Sequence, residues 1–309
     1  MDQWPSDQHQ WRQVDGDWLG SDLLRKVTLP NPTMIEDSRL PPLYSISQNT
    51  VRAKSVGEDF DIVCEAGEMA VAVWGPLLRA IGAAETVRHL KARSLHVSSY
   101  HAGLRILELE DDEADAVIRA TIEEAAAIEA PLASINPGPK GDRTFAKADE
   151  IFVTRLNRAA PLARKANVRL GIEPIHPFLC TNGYIHTLRH GAEIVARVAA
   201  SALVVDTAHL FWDRDLFADI ELNIAAVGLV QLGQLSSAQL AEKRWARAPF
   251  AIGAVPLAEI LYALRDAGYA GYYEDETLLP SELTRAERVA SIAAGAAWFR
   301  DLWHQKSED

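Results

Sequence analysis

Four oxygen-bearing side chains each end a segment of the chain that reads as a buried strand. They are Glu173, Asp206, Gln231 and Glu276. A carboxylate in such a place is costly unless another group pairs with it. Because barrel enzymes place their chemistry at one end of successive parallel strands, we expect the four side chains to face one another. Oxygen ligands suit Mn²⁺ or Mg²⁺ better than Zn²⁺ or Cu²⁺, so the pattern predicts one divalent metal ion bound by these four residues.

Strand-like apolar segments alternate with helical segments from about residue 43 onward. Eight such alternations are typical of an α/β protein and predict a (β/α)8 TIM barrel over residues 43–309, preceded by an N-terminal extension over residues 1–42. The alternative is an open, doubly wound sheet. That fold would favour a Gly-rich phosphate loop after the first strand, where the sequence has Q-N-T-V instead.

Four further side chains are expected at the same end of the barrel. Trp74 ends the second strand, His101 ends the third, Asn136 follows the fourth, and His176 comes shortly after the fifth. Taken singly, a histidine in such a place is more often a satisfied core residue than a functional one. Repetition along consecutive strands favours a site, and we predict that all four contact the substrate. Trp74 could stack on a ring of the substrate or pack beneath a loop.

Composition argues against several classes of binding partner and indicates where the protein is located. Of the 309 residues, 48% are hydrophobic, but no apolar run of about 18 residues predicts a membrane span. The formal net charge of -12 argues against unaided binding of nucleic acid. The two cysteines, Cys64 and Cys180, stand in contexts that predict burial or near-burial, and no secretory signal pattern is present. We therefore expect a cytoplasmic protein that binds neither nucleic acid nor membrane.

The N-terminal extension is rich in tryptophan and proline. Trp4, Trp11 and Trp18 lie among polar residues, in a segment too polar to fold by itself. A disordered leader is one interpretation. Because exposed tryptophan is costly, we favour packing of these side chains on the barrel, on a second copy of the chain or on a partner subunit.

The motifs that carry the candidate ligands resemble those of a known superfamily. They read E-P-I-H-P, V-V-D-T-A-H-L-F-W-D, L-V-Q-L-G-Q and G-Y-A-G-Y-Y-E-D-E. Together they resemble the xylose isomerase-like TIM-barrel superfamily, and within it the sugar phosphate isomerases/epimerases and the inosose or 3-dehydroshikimate dehydratases. The resemblance implies that the predicted four residues bind the metal and that His209 contacts substrate. Its G-Y-x-G-x-x-x-x-E spacing selects Glu276 as the ligand rather than Glu274.

Two positions depart from the pattern of that superfamily. The seventh strand commonly carries His-x-x-Asp, whereas this chain has Gln231 and Gln234. The loop before the seventh helix usually contains an acidic residue, whereas residues 251–254 read A-I-G-A. The resemblance implies that Gln231 still binds metal through its amide oxygen. It also implies that Gln234 cannot act as a charged partner of the site.

Three functions follow from this site. The first is a metal-dependent isomerase or epimerase of a keto-sugar or polyol, in which Glu173 and Glu276 move a proton next to a metal-bound carbonyl, with His209 as a further catalytic group. The second is a lyase that shares this step, with His209 or His176 protonating a departing hydroxyl. It would dehydrate a cyclic keto-polyol or 3-dehydroshikimate, or cleave a 3-oxo-glycoside. The third is a barrel that binds or scaffolds without turnover. A DNA-repair nuclease with three zinc ions would need more histidines on the strands than this chain has.

Overall fold

Parallel strands close into a barrel in the computed structural model, which describes residues 43–304. Around the barrel the strand order is β1-β10-β7-β6-β5-β4-β3-β2, and β8 and β9 form a separate antiparallel pair. The strands are β1 Tyr44–Ser47, β2 Ala70–Trp74, β3 His96–His101, β4 Leu132–Ser134, β5 Arg169–Ile172, β6 Ser201–Asp206, β7 Val227–Leu232, β8 Gln234–Leu235, β9 Arg247–Ala248 and β10 Tyr273–Asp275. The predicted (β/α)8 barrel is confirmed. The predicted packing of Trp4, Trp11 and Trp18 lies outside the described residues.

Helices cover the outside of the barrel and follow the strands along the chain. They are α1 Gln48–Val51, α2 Val56–Glu65, α3 Gly75–Ile81, α4 Ala83–Ala92, α5 Asp111–Ala127, α6 Phe145–Ala166, α7 Leu188–Val195, α8 Thr207–Leu210, α9 Leu216–Asn223, α10 Ser237–Ala241, α11 Leu257–Asp266 and α12 Arg285–His304. Local sequence fixes several helix ends. The hydroxyl of Thr144 accepts a hydrogen bond from the amide of Lys147 at the start of α6, and Asn167 ends the same helix in the left-handed conformation, with φ 55°.

The inside of the barrel changes from apolar to polar along each strand. A small cluster of Leu132, Ala202, Val204 and Leu229 fills the interior near the starts of the strands. Because side chains of a strand alternate between its two faces, Asp206 follows Val204 on the inner face and Gln231 follows Leu229. The apolar layer therefore closes the barrel below, and the polar side chains meet above it.

An irregularity in β3 brings two consecutive serines to the same partner. Val71 on β2 pairs with Val97, but the next residue, Ala72, pairs with Ser99, so Ser98 is an extra residue in β3. The hydroxyls of Ser98 and Ser99 both reach Glu274 on β10, with oxygen–oxygen distances of 3.4 and 2.7 Å.

One local expectation was wrong. Cys180 is exposed and Cys64 is half-buried, so the predicted burial fails for Cys180. Within residues 43–304, no helix is long and apolar enough to cross a membrane. Location in the cytoplasm stays a prediction.

Candidate metal and active site

Three buried side chains converge above the apolar layer of the barrel. Nε2 of His209 lies 3.6 Å from Oε1 of Glu173 and 3.5 Å from Oδ2 of Asp206. One potential ligand atom from each residue lies within 4.8 Å of the others. Oδ1 of Asp206 accepts the amide hydrogen of Ala208 at 2.7 Å and so caps α8. This cap fixes the carboxylate and leaves Oδ2 facing the group, which is suited to a divalent cation.

Arg247, which the sequence analysis missed, lies at the same place. Its Nη2 is 3.0 Å from Oδ2 of Asp206 and 3.2 Å from Oε2 of Glu276. It reaches the acids because β9 pairs with β8 and folds the segment after β7 back over the barrel. Arg244 stands three residues earlier and is half-buried. Sequence alone does not indicate which of the two arginines reaches the acids.

Burial, Arg247 and mutual repulsion shift the pKa values of the three acids in different directions. Burial would raise the pKa of Asp206, but the charge of Arg247, the His209 ring and the hydrogen bonds outweigh it and lower that pKa to about 2. Burial, only partly opposed by Arg247, raises the pKa of Glu276 to about 7. Burial and the negative charges of Glu276 and Asp206 raise the pKa of Glu173 well above its usual value. Carboxylates that repel one another in this way favour an added cation.

A second polar layer lies directly below these acids. Glu274, fully buried, accepts hydrogen bonds from Nε2 of His101 at 2.8 Å and from Nε2 of Gln231 at 3.2 Å. Burial would lower the pKa of His101, but the charge of Glu274 and the hydrogen bond outweigh it and raise that pKa to about 9. The amide oxygen of Gln231 is buried and has no hydrogen-bond partner within the described residues.

These donors fit a divalent cation. Glu173, Asp206 and Glu276 supply carboxylates, Gln231 supplies an amide oxygen without a partner, and His209 supplies a ring nitrogen. The structure thus adds His209 to the candidate ligands, where the resemblance implied a substrate contact.

Aromatic rings line one side of the site. The ring of Trp245 stacks on His209 at a centroid distance of 5.4 Å and an interplanar angle of 21°. It also contacts His176 at 4.9 Å and Phe178 at 6.2 Å. His176 is further fixed because its Nδ1 accepts the amide hydrogen of Phe178 at 3.0 Å. His176 therefore lies beside the site, as part of an aromatic wall.

The remaining predicted residues are spread around the same end of the barrel. Trp74 pairs in register with His101, and Asn136 follows β4. Their contact with substrate stays a prediction, as does that of His101, whose ring bonds Glu274. Gln234 points away from the acids: its Oε1 accepts the amide hydrogen of Val255 at 2.7 Å, and its Nε2 donates to the carbonyl of the same residue at 2.9 Å. Because Val255 directly follows residues 251–254, these hydrogen bonds hold the end of the uncharged loop next to β8.

A family model described as xylose isomerase-like TIM barrel matches residues 60–302. The chain belongs to this family. A solved protein from Sinorhizobium meliloti 1021 is 24% identical, with a TM-score of 0.74 over 81% of this chain and 95% of that one. The IolI protein with a binding zinc atom is 13% identical, with a TM-score of 0.72 over 85% of this chain and 100% of that one. A comparison with curated proteins gave no match.

A third similar solved structure is the 3-keto-D-glucoside 4-epimerase from E. coli. It is 16% identical, with a TM-score of 0.68 over 84% of this chain and 100% of that one. At these identities the likeness of the solved structures concerns the fold. Function has to be argued from the site.

Proposed function

We propose that this xylose isomerase-like barrel is a divalent-metal-dependent isomerase or epimerase of a keto-sugar or polyol. The observation that carries the proposal is the convergence of Glu173, Asp206 and His209, with ligand atoms within 4.8 Å of one another, beside Glu276. The zinc bound by the IolI protein and the epimerase activity named for the E. coli protein support the same class.

The ligands would be Glu173, Asp206, Gln231 and Glu276, with His209 completing the shell or contacting substrate. A divalent cation held there supplies a Lewis acid for adjacent hydroxyl and carbonyl oxygens. Mn²⁺ or Mg²⁺ fits the oxygen-rich set best, whereas a shell that includes His209 also suits zinc. The preference for zinc or for Mn²⁺ and Mg²⁺ therefore depends on whether the imidazole of His209 binds the metal.

Proton transfer is assigned to two carboxylates of this group. Glu173 follows β5 and Glu276 follows β10, and Asp206 and Gln231 stand between them around the barrel. A carbon acid bound over the centre would thus have a carboxylate on either side. One can remove the proton next to the carbonyl and the other can return it, which is the requirement for epimerisation.

Arg247 and the aromatic wall would hold the substrate. The Arg247 guanidinium presents donors that a sugar hydroxyl or carbonyl oxygen accepts. Trp245 offers an apolar ring beside His209, against which the carbon–hydrogen face of a sugar can pack. A keto-sugar or cyclic polyol meets both requirements.

The test is hydrogen exchange with the solvent. Metal-loaded protein is incubated in D₂O with a panel of ketoses, 3-keto-glycosides and inososes, and each product is read by NMR and mass spectrometry. We expect deuterium next to the carbonyl and an isomer that differs only by that label. Loss of water from the substrate would assign the lyase instead.

Two variants test whether hydrogen exchange depends on the carboxylates of the site. Glu276→Gln should abolish exchange while some metal binding remains. Glu150→Gln, which alters an exposed acid paired with Lys147 on α6, is the matched control and should leave exchange unchanged. Turnover of a true substrate without cleavage of any carbon–hydrogen bond next to a carbonyl would contradict the proposal.

A further inference from the structure

Glu274 is a buried acid that the proposed chemistry does not use. It lies on β10 in the layer below the candidate ligands and is 0% exposed. Four side chains donate to its carboxylate: Ser98, Ser99, His101 and Gln231. The carboxylate oxygens accept these hydrogen bonds, and each of the four neighbours turns a donor toward them.

This requirement decides how the amide of Gln231 is turned. The two ends of an amide differ, since the nitrogen donates and the oxygen accepts. Nε2 of Gln231 faces Oε1 of Glu274 at 3.2 Å, which turns the amide oxygen away from Glu274. That oxygen is buried without a hydrogen-bond partner in the described part of the chain. Gln231 pairs in register with Asp206 on β6, beside the candidate metal ligands.

We propose that Glu274 is a positioning residue that holds the Gln231 amide with its oxygen, and not its nitrogen, toward the divalent cation. The inference rests on the proposed function, because it assigns a partner to one of the proposed ligands. A buried carbonyl oxygen without a hydrogen bond is unfavourable, and a cation would satisfy it. Glu274 thereby lets a glutamine serve at a ligand position where the opposite amide orientation would present a donor to the metal.

The test first removes the acceptor of the Gln231 amide and then exchanges the two side chains. In Glu274→Met, no acceptor remains at this position for Nε2 of Gln231. We expect the amide to lose its fixed orientation, and the Mn²⁺ dissociation constant to rise at least tenfold. In the double variant Glu274→Gln/Gln231→Glu, the new amide donates to the new carboxylate, whose second oxygen is free for the metal, and the charge equals that of wild type. We expect Mn²⁺ affinity to return to the wild-type value or better.

Two readouts accompany the affinities measured by calorimetry. The visible spectrum of bound Co²⁺ reports the ligand set, and should be altered in Glu274→Met and restored in the exchanged pair. Ser99→Ala is the matched control, because it removes another donor to the same carboxylate without touching Gln231, and its affinity should stay at the wild-type value. Thermal unfolding checks that each variant folds.

The outcomes separate the two proposals. If wild type binds Mn²⁺ and Glu276→Gln weakens it, but Glu274→Met binds as wild type does, only the positioning role is overturned. Failure of the exchanged pair to bind better than Glu274→Met also overturns it. Where Glu274→Met does not fold, failure of the exchanged pair to reach the wild-type affinity overturns it. If wild type binds no divalent metal, the proposed function fails, and the positioning role fails with it.

Discussion

Nη2 of Arg247 lies 3.0 Å from Oδ2 of Asp206, the same oxygen that lies 3.5 Å from Nε2 of His209. One carboxylate oxygen thus faces both the candidate ligand group and an internal cation. In the structure, Arg247 supplies the positive charge that a metal ion would bring. A metal ion bound there, as proposed, would compete with Arg247 for Asp206 and Glu276 and would displace the guanidinium from them.

Arg247→Met should bind divalent metal more tightly than wild type, although its metal-free form is less stable. Removing one partner of a buried ion pair costs about 3–5 kcal/mol, because the other charge is left without compensation. A metal ion then meets no competing cation. We expect a lower melting temperature without Mn²⁺ and a larger rise upon its addition, measured by differential scanning calorimetry.

Arg244→Met is the control for this change. Arg244 lies on the same returning segment and pairs with the exposed Glu242. Exposed ion pairs contribute about 0–1 kcal/mol, so both the melting temperature and the Mn²⁺ response should stay close to wild type. Equal metal responses of Arg244→Met and Arg247→Met would contradict the competition.

The stability of the barrel should depend on pH through Asp59 on α2. Burial raises the pKa of Asp59 to about 7, despite hydrogen bonds from the Ala53 amide and from Gln48. In the unfolded chain this carboxyl ionises with a pKa near 3.8, the usual value of an aspartate. Between these two values the folded state keeps a proton that the unfolded state has lost. Stability therefore falls as pH rises through this window, by up to about 1.4 kcal/mol per pH unit, and changes no further above it.

Urea unfolding of wild type and Asp59→Asn across pH 4 to 8 measures this contribution. Asparagine does not titrate, so the difference in unfolding free energy between the two proteins should change through the window in favour of the variant. Asp61→Asn is the control on the same helix. Hydrogen bonding to Arg93 lowers the pKa of Asp61, so its contribution is lost only as pH falls in the acid range. A pH-independent difference for Asp59→Asn would disprove the assignment.

The sequence predicted the barrel and the placement of its acids for a local reason. Each candidate ligand ends an apolar strand, and parallel strands in a barrel end at the same face. Because Asp206 and Gln231 each end a strand, the sequence predicted that they lie at the same end of the barrel, and the two residues pair in register. The two-residue alternation likewise placed Glu274 and Glu276 on one face of β10, and the family spacing chose Glu276, which lies by Arg247.

What the sequence did not predict depends on long-range pairing. Arg247 reaches the site only because the two-residue strands β8 and β9 pair across residues 236–246, and such short strands carry little periodicity. The partners of Glu274 come from β3 and β7, and an extra residue in β3 brings both serines to it. No pattern within either strand indicates these contacts.

Trp245 should stabilise the aromatic wall through its ring and not through its indole nitrogen. Nε1 of Trp245 is buried without a hydrogen-bond partner in residues 43–304, whereas the ring stacks on His209. Trp245→Phe keeps a ring and removes a polar atom that has no partner, so it should change the unfolding free energy by less than about 1.5 kcal/mol. Trp245→Ala should cost about 3 kcal/mol by loss of contacts. Chemical denaturation compares them, and equal losses would show that the ring does not carry the effect.

Gly233, which follows β7, should matter because Arg247 passes directly over it. A Cβ atom at this position would overlap Nη1 of Arg247 and approach the Cβ of Ala208 to 2.9 Å. Gly233→Ala should therefore displace the guanidinium without changing any charge of the site, and the stabilisation by Mn²⁺ should increase as in Arg247→Met. A double-mutant cycle with Arg247→Ala isolates this effect, since residues in contact show coupling of about 0.5–3 kcal/mol. The added methyl should cost several times less in the Arg247→Ala background than in wild type, because only the approach to Ala208 remains. Equal costs in the two backgrounds, measured by urea unfolding without metal, would show that Gly233 makes no room for Arg247.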